Sequence, residues 1–200
     1  MKKIIVATSN ENKIKEIRQI LAGDMIEYVS LKDENLQDVE IIEDGTTFEE
    51  NAIIKARTIS ELTNQMVLAD DSGLEVDYMN KAPGVLSARF LGEDTPYNIK
   101  NNYIINELAS AKEEERSARF VCVIACAFPD GRVITTKGVI EGRIGYEEKG
   151  SNGFGYDPIF YLPERGCTTA QLSPEEKNKI SHRGQALMLM KEKLIKEKIL

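Results

Sequence analysis

Residues 67–77, V-L-A-D-D-S-G-L-E-V-D, constrain this chain more than any other stretch. Apolar residues run straight into two adjacent carboxylates, Asp70 and Asp71, and Leu74 and Val76 follow after Ser72 and Gly73. The pattern reads as a strand that delivers acids into a cleft, turns, and leaves as another strand. Taken alone it is also an ordinary Asp-Ser-Gly turn, since these residues are common in turns. Side chains alternate across a strand, so the two acids point to opposite faces and cannot do the same job from one face. One carboxylate can hold Mg²⁺ through oxygen while the other orients a ligand or a water.

The flanking sequence is α/β. Residues 3–7 form a short β-branched strand that Thr8, Ser9 and Asn10 end. A helix over 12–21 carries Ile14, Ile17 and Leu21 on one stripe, and Gly23 stops it. A second strand is expected over 25–31, then an acidic irregular segment over 32–44. Thr47 and Glu50 form a capping box for a helix to about residue 62. On it Phe48, Ala52, Ala56, Ile59 and Leu62 share a face, with Asn51 and Lys55 at the edge. Another helix is expected over 96–111 on Ile99, Tyr103, Ile104 and Leu108. Strands over 118–128 and 132–143 meet at Pro129-Asp130-Gly131, a hairpin signal. Ser173 starts a short helix, and Ser181 caps a last one on Ala186, Leu187, Met190, Leu194 and Ile195. Strand–helix alternation supplies parallel pairing and the hairpin an antiparallel part. The expected fold is therefore α/β with a mixed sheet flanked by helices.

Composition narrows the function classes. Two hundred residues suit one domain, or one domain with two lobes. A net charge of −7 argues against general nucleic-acid or membrane-surface binding, which wants a basic face. It leaves room for a phosphate ligand at a local cluster of cations. Cys122 and Cys126 lie in an apolar run as small hydrophobes, and with Cys167 they cannot all pair. The only histidine, His182, is far from them, so no zinc spacing exists. No secretory signal or apolar run of membrane length is present, and a reduced, cytoplasmic setting is expected.

Four further stretches bear on chemistry. Thr8, Ser9, Asn10, Glu11, Asn12 and Lys13 form a polar turn opening onto a helix, where free N–H groups and the helix dipole favour an anion. The same residues also make an ordinary helix cap with a surface lysine. Glu43 ends the acidic loop and Lys55 flanks the buried face of the next helix; by themselves these are a solvated acid and a snorkelling lysine. In G-S-N-G-F-G-Y-D-P, residues 150–158, Phe154 stands between Gly153 and Gly155. Neither a Walker loop nor a dinucleotide fingerprint fits this stretch. A ring there can lie against a planar ligand or plug the core. Lys177, His182 and Arg183 complete the set: the last two fall in the first turn of the final helix, where cations oppose the dipole. An electron-rich ligand would use them; otherwise they are a tolerated surface cluster. Phosphate, metal, planar ring and carbonyl-binding cations together describe a nucleoside triphosphate with an oxidised base.

The chain resembles the inosine/xanthosine triphosphate pyrophosphatases, which remove non-standard purine nucleotides from the pool. The blocks that carry the resemblance are S-N-E-N-K-I-K-E, E-D-G-T-T-F-E-E-N-A, A-D-D-S-G-L-E-V-D, A-P-G-V-L-S-A-R-F, G-F-G-Y-D-P-I-F and S-H-R-G-Q-A-L, in the family's order along the full chain. The resemblance implies an elongated mixed sheet with two lobes around a central cleft, a Mg²⁺-dependent homodimer, and cleavage to monophosphate and pyrophosphate. By resemblance the triphosphate meets Thr8, Ser9, Asn10, Glu11, Asn12 and Lys13. Asp71 is then the general base and, with Glu43, the metal ligand, while Ser72 touches substrate. Phe154, Gly155, Tyr156, Asp157, Lys177, His182 and Arg183 form the base pocket. Thr8 and Glu11 stand at positions that vary in the family.

The expected reaction is attack of an Asp71-activated water on the α-phosphorus, with Lys13 and Lys55 neutralising the leaving pyrophosphate. Asp70 is expected to support the site or to help with metal. Donors from Lys177 and Arg183 would pair with a C6 oxygen and oppose the amino group of adenine. Two rivals are a pyrophosphatase for modified pyrimidine nucleotides, expected to lack the S-H-R block, and a non-catalytic nucleotide- or RNA-binding module, which needs no metal pair.

Overall fold

The computed structural model describes residues 2–23 and 26–199. Their order is β1 (Lys2–Val6), α1 (Glu11–Ile20), β2 (Ile26–Ser30), α2 (Phe48–Thr63), β3 (Val67–Val76), α3 (Tyr97–Glu107), β4 (Ser117–Ala127), β5 (Val133–Ile144), β6 (Phe160–Leu162), β7 (Cys167–Thr168), α4 (Pro174–Ile180) and α5 (His182–Lys196). The strands hydrogen-bond in the order β2-β1-β3-β4-β5-β6-β7. β1 is parallel to β2 and β3, while β6 is antiparallel to β5 and β7, so the sheet is mixed as expected. Met25, expected to open the second strand, lies outside the described residues. No helix among the described residues is long and apolar enough to cross a membrane.

The chain forms two compact units. The first comprises Met1–Asp71, Cys122–Gly138 and Arg183–Leu200; the second comprises Ser72–Val121 and Val139–His182. In the first, Ile4, Ile5, Val6 and Ala7 are all buried, as a parallel strand covered on both faces should be. Ile4 and Val6 pack with Ile14 and Ile17 of α1 and with Leu187, Met190 and Leu194 of α5. Thr47 caps α2 as expected: its hydroxyl accepts the Glu50 N–H at 3.1 Å, and the Glu50 carboxylate accepts the Thr47 N–H at 3.0 Å. Asn51 and Lys55, expected at the edge of the apolar face, are buried in it. Leu62 is not: it is 59% exposed. Ser60 takes the inward place in the last turn, donating to the Gln65 carbonyl at 2.7 Å as the chain folds back over it. Ile195 of α5 is likewise exposed.

In the second unit Leu74, Val76, Ile104, Leu108, Phe120, Ile159 and Phe160 make the core. The stripe of α3 is rotated by one residue from the expected one. Ile99 and Tyr103 are exposed, while Lys100 and Asn101 turn inward beside Ile104. Both polar residues find partners that make burial tolerable. Lys100 donates to the Ala88 carbonyl at 2.6 Å, and Asn101 donates to Glu148 at 2.6 Å and to the Gly155 carbonyl at 3.3 Å.

The largest departure is β3. The expected turn at Asp-Ser-Gly does not exist; one ten-residue strand runs from Val67 to Val76. Leu68 and Ala69 are buried before the acids, and Leu74 and Val76 after them. Apolar burial at both ends outweighs the turn preference of Asp, Ser and Gly, which is a local and weaker term.

Candidate active site

In the first unit, the β1–α1 turn is built on Asn10. Its Oδ1 accepts the N–H groups of Asn12 at 3.0 Å and Lys13 at 3.2 Å, and the Thr8 hydroxyl accepts the Asn10 N–H at 3.2 Å. The cap therefore already engages two of the N–H groups expected to be open to an anion. Ser9, Glu11 and Asn12 are exposed; Thr8 and Asn10 are half-buried. Lys13 reaches down from this turn, and its Nζ lies 2.6 Å from Asp70 Oδ1.

The adjacent acids of β3 take separate partners, as alternation requires. Asp70 is fully buried and accepts from Arg183 Nε at 2.7 Å and from the Cys122 thiol at 3.1 Å, in addition to Lys13. Arg183 also pairs through Nη1 with Glu16. Burial alone would raise the Asp70 pKa, but Arg183 and Lys13 outweigh it and hold the carboxyl well below the usual range. The same burial, with Asp70 beside it, pushes the Cys122 thiol well up, so it stays protonated. Cys122 is thus a hydrogen-bond donor to the site as well as a small hydrophobe.

Asp71 accepts from Lys55 Nζ at 2.6 Å, and Glu43 accepts from the same ammonium at 2.7 Å. Burial raises the Asp71 pKa above the ordinary value, and Lys55 only partly reverses this. For Lys55, burial is outweighed by Asp71 and Glu43, and its pKa is raised. The other oxygen of Asp71, Oδ2, is buried and has no hydrogen-bond partner among the described residues.

In the second unit, Ser72 is half-buried on β3 just after Asp71. Gly153 and Gly155 hold φ of 72° and 67° on either side of Phe154, a conformation that side chains other than glycine rarely adopt. Phe154 is half-buried, its N–H donates to Asp157 Oδ2 at 2.8 Å, and Lys177 Nζ stands 5.1 Å from its ring centre. Lys177 is buried and donates to the same Asp157 oxygen at 2.6 Å. Tyr156 turns into the core: its hydroxyl donates to the Ser87 carbonyl at 2.7 Å, and burial raises its pKa. His182 is buried with its ring stacked on Phe120, centroids 4.8 Å apart.

The expected residues thus gather into three groups: Lys13 with Asp70 and Arg183, Lys55 with Asp71 and Glu43, and Lys177 with Asp157 and Phe154. Arg183, expected to read a base carbonyl beside Lys177, pairs through Nε with Asp70 and through Nη1 with Glu16. This also removes the conflict with the dipole of α5, because two carboxylates balance the cation. No spacing in the sequence signalled that Glu16 would meet Arg183 or that Cys122 would meet Asp70.

A model of the Ham1 family matches residues 4–193. A Bacillus licheniformis protein named dITP/XTP pyrophosphatase is 47% identical over 187 residues, 94% of this chain and 95% of that one. A Bacillus anthracis protein of the same name is 46% identical over 197 residues, covering 97% of this chain and 96% of the other. Among solved structures, a HAM1 protein from Coxiella burnetii superposes with TM-score 0.88 at 41% identity, covering 98% of this chain and 100% of that one. The Staphylococcus aureus Ham1 protein follows with TM-score 0.87 at 40% identity, with the same coverage. The pairing of Lys55 with two acids, the buried Asp70 hub and the glycine-flanked Phe154 all lie in the part of the chain that the family model spans. The chain belongs to the Ham1 family.

Proposed function

We propose that this chain hydrolyses the non-standard purine nucleoside triphosphates dITP, ITP and XTP to the monophosphate and pyrophosphate. The observation that carries the reading is Asp71, a buried carboxylate with one oxygen on Lys55 and the other, Oδ2, without a hydrogen-bond partner. An unsatisfied buried acceptor is costly, so this oxygen is suited to a water or a cation that arrives with substrate. Glu43 accepts from the same Lys55 ammonium, so the two carboxylates lie close to one another. An oxygen donor pair of this kind fits Mg²⁺, which is typically held by one or two carboxylates and by substrate phosphates. Asp71, through Oδ2, and Glu43 would hold Mg²⁺, which would draw charge from the phosphates and lower the pKa of a bound water.

Asp71 orients the attacking water and takes its proton as the α-phosphorus is attacked. Lys55 holds Asp71 in place, and with Lys13 it offsets the charge that grows on the departing pyrophosphate. The turn of Thr8, Ser9, Asn10, Glu11 and Asn12 supplies the remaining polar contacts to the phosphates, and Ser72 a further one. Phe154 stacks on the base, with Gly155 giving the loop room, and Lys177 donates to the C6 oxygen. His182 borders the base from its stack on Phe120. Arg183, held by Asp70 and Glu16, completes the base pocket with Lys177.

The chain works as one catalytic domain. It acts as a homodimer, and Leu86, Leu91, Ile99 and Tyr103 of the second unit are exposed apolar residues that a partner could cover. The cysteines are free thiols, which fits a cytoplasmic setting.

The deciding experiment is pyrophosphate release from dITP and XTP with Mg²⁺, against dATP, a modified pyrimidine triphosphate and a chelator control. Fast release from dITP and XTP alone supports the reading. Equal release from dATP, or preference for the pyrimidine, overturns it.

The raised Asp71 pKa gives a pH signature. The acid limb of kcat/KM for dITP should fall at a midpoint above the ~3.9 of a free Asp. Lys55 pulls that pKa down, so Lys55→Met should move the limb higher while lowering the plateau. A limb that stays put, or moves to lower pH, would show that the titrating group is not Asp71.

A further inference from the structure

We infer that Thr169 is a positioning residue for base recognition: through Asp157 it fixes the Lys177 ammonium and the Phe154 loop. The inference rests on the function proposed above and extends it to a residue outside the motif blocks.

Asp157 is buried, and both its carboxylate oxygens are engaged. Oδ2 accepts from the Phe154 N–H at 2.8 Å and from Lys177 Nζ at 2.6 Å. Oδ1 accepts from the Thr169 hydroxyl at 2.8 Å. One carboxylate therefore ties together the ring that would stack on a base and the cation that would read its carbonyl. With its oxygens occupied, Asp157 acts as a scaffold for these two groups. Among the described residues Thr169 is the one shown bracing its far oxygen, and Thr169 is itself buried.

The neighbouring backbone shows that this brace belongs to a continuous buttress. The Asn152 N–H donates to the Ala170 carbonyl at 2.9 Å, and the Asn152 side chain donates to the Leu172 carbonyl at 2.9 Å. A Cβ added to Gly150 would meet the Ala170 carbonyl at 2.4 Å. At Gly153 an added Cβ would fall 2.2 Å from Asp157 Oδ2, so the loop closes directly over the carboxylate. The segment around Thr169 thus supports the glycine loop at its base, and the Thr169 hydroxyl carries that support to the carboxylate. A hydrogen bond to an ionised acceptor is among the stronger kinds, and losing it leaves Asp157 free to rotate.

Thr169→Val keeps the shape and removes the hydroxyl. The expected result is a roughly tenfold rise in KM for dITP, and equal weakening of dIMP binding by calorimetry, with kcat within about twofold. The preference for dITP over dATP should narrow, because a loosened Lys177 discriminates less. Thr169→Ser should restore all three. Should Thr169→Val fail to fold, Thr169→Ala removes the hydroxyl without placing a methyl against Asp157 and is read in the same way. A lowered melting temperature with KM, dIMP affinity and preference unchanged overturns the inference, since Thr169 would then be only structural. Failure of the wild-type protein to bind dIMP or to cleave dITP would overturn the proposed function and this inference together. Normal wild-type behaviour with an unaffected variant overturns the inference alone.

Discussion

Asp71→Asn is expected to lower kcat for dITP by about 10³-fold, the range typical of removing a general base, while nucleotide binding survives. The amide is isosteric and can still accept from Lys55, so the 2.6 Å contact that orders the pair is kept. What is lost is proton affinity and the negative charge at Oδ2, the buried oxygen with no hydrogen-bond partner. A loss confined to kcat, with dIMP affinity within a few-fold of wild type, separates chemistry from binding. Burial also raises the Asp71 pKa, which makes it a better proton acceptor than a solvated Asp as long as it remains ionised near neutrality. A variant that retains more than a tenth of wild-type turnover would falsify the assignment of Asp71 as base.

Asp70→Ala should act first on stability, and on activity through the lost anchor of Lys13. Asp70 is fully buried between Lys13, Arg183 and the Cys122 thiol. Removing one member of a buried ion network strands the others, at a cost of about 3–5 kcal/mol. Arg183 would keep Glu16, whereas Lys13 would lose its 2.6 Å partner. The urea midpoint should therefore fall by more than about 1 M. The pH dependence has a definite sign. The folded-state pKa of Asp70 lies well below that of an unfolded Asp, so between the two values the unfolded chain binds the extra proton. Its contribution is fully present above ~3.9 and drains away as pH falls through the folded value. The stability gap between wild type and Asp70→Asn should thus be flat near neutrality and close at acid pH. A cost below about 1 kcal/mol, or a gap that widens on acidification, would show that Lys13 and Arg183 do not depend on this carboxylate.

Both cations proposed to read a C6 oxygen are anchored by acids: Arg183 by Asp70 and Glu16, Lys177 by Asp157. Discrimination then depends on how firmly each is aimed, which is why a hydroxyl two bonds removed from the Lys177 ammonium, on Thr169, is expected to matter.

Much of this protein was legible from local patterns. The β-branched run before Thr8, the capping box at Thr47 and Glu50, and the turn at Pro129-Asp130-Gly131 are short-range signals, and each element formed within a residue or two of its expected bounds. Alternation along a strand was enough to split Asp70 from Asp71. Where local preference competed with burial, the sequence misled. Asp-Ser-Gly reads as a turn, yet Leu74 and Val76 need the core of the second unit and keep β3 continuous. Ile99 and Tyr103 look periodic, yet the hydrogen bonds available to Lys100 and Asn101 rotate α3 by one position.

By itself, then, the sequence determined the α/β class, the order of elements and the identity of the charged residues, because propensity, capping and alternation act between neighbours in the chain. Which cation meets which acid was decided only by the tertiary structure. Lys13, Arg183 and Cys122 converge on Asp70 from three elements, at separations of up to 113 residues. Glu43 and Asp71 do the same at Lys55. No periodicity encodes such pairings, since they follow from where the sheet and helices bring buried charges close enough to offset the loss of water.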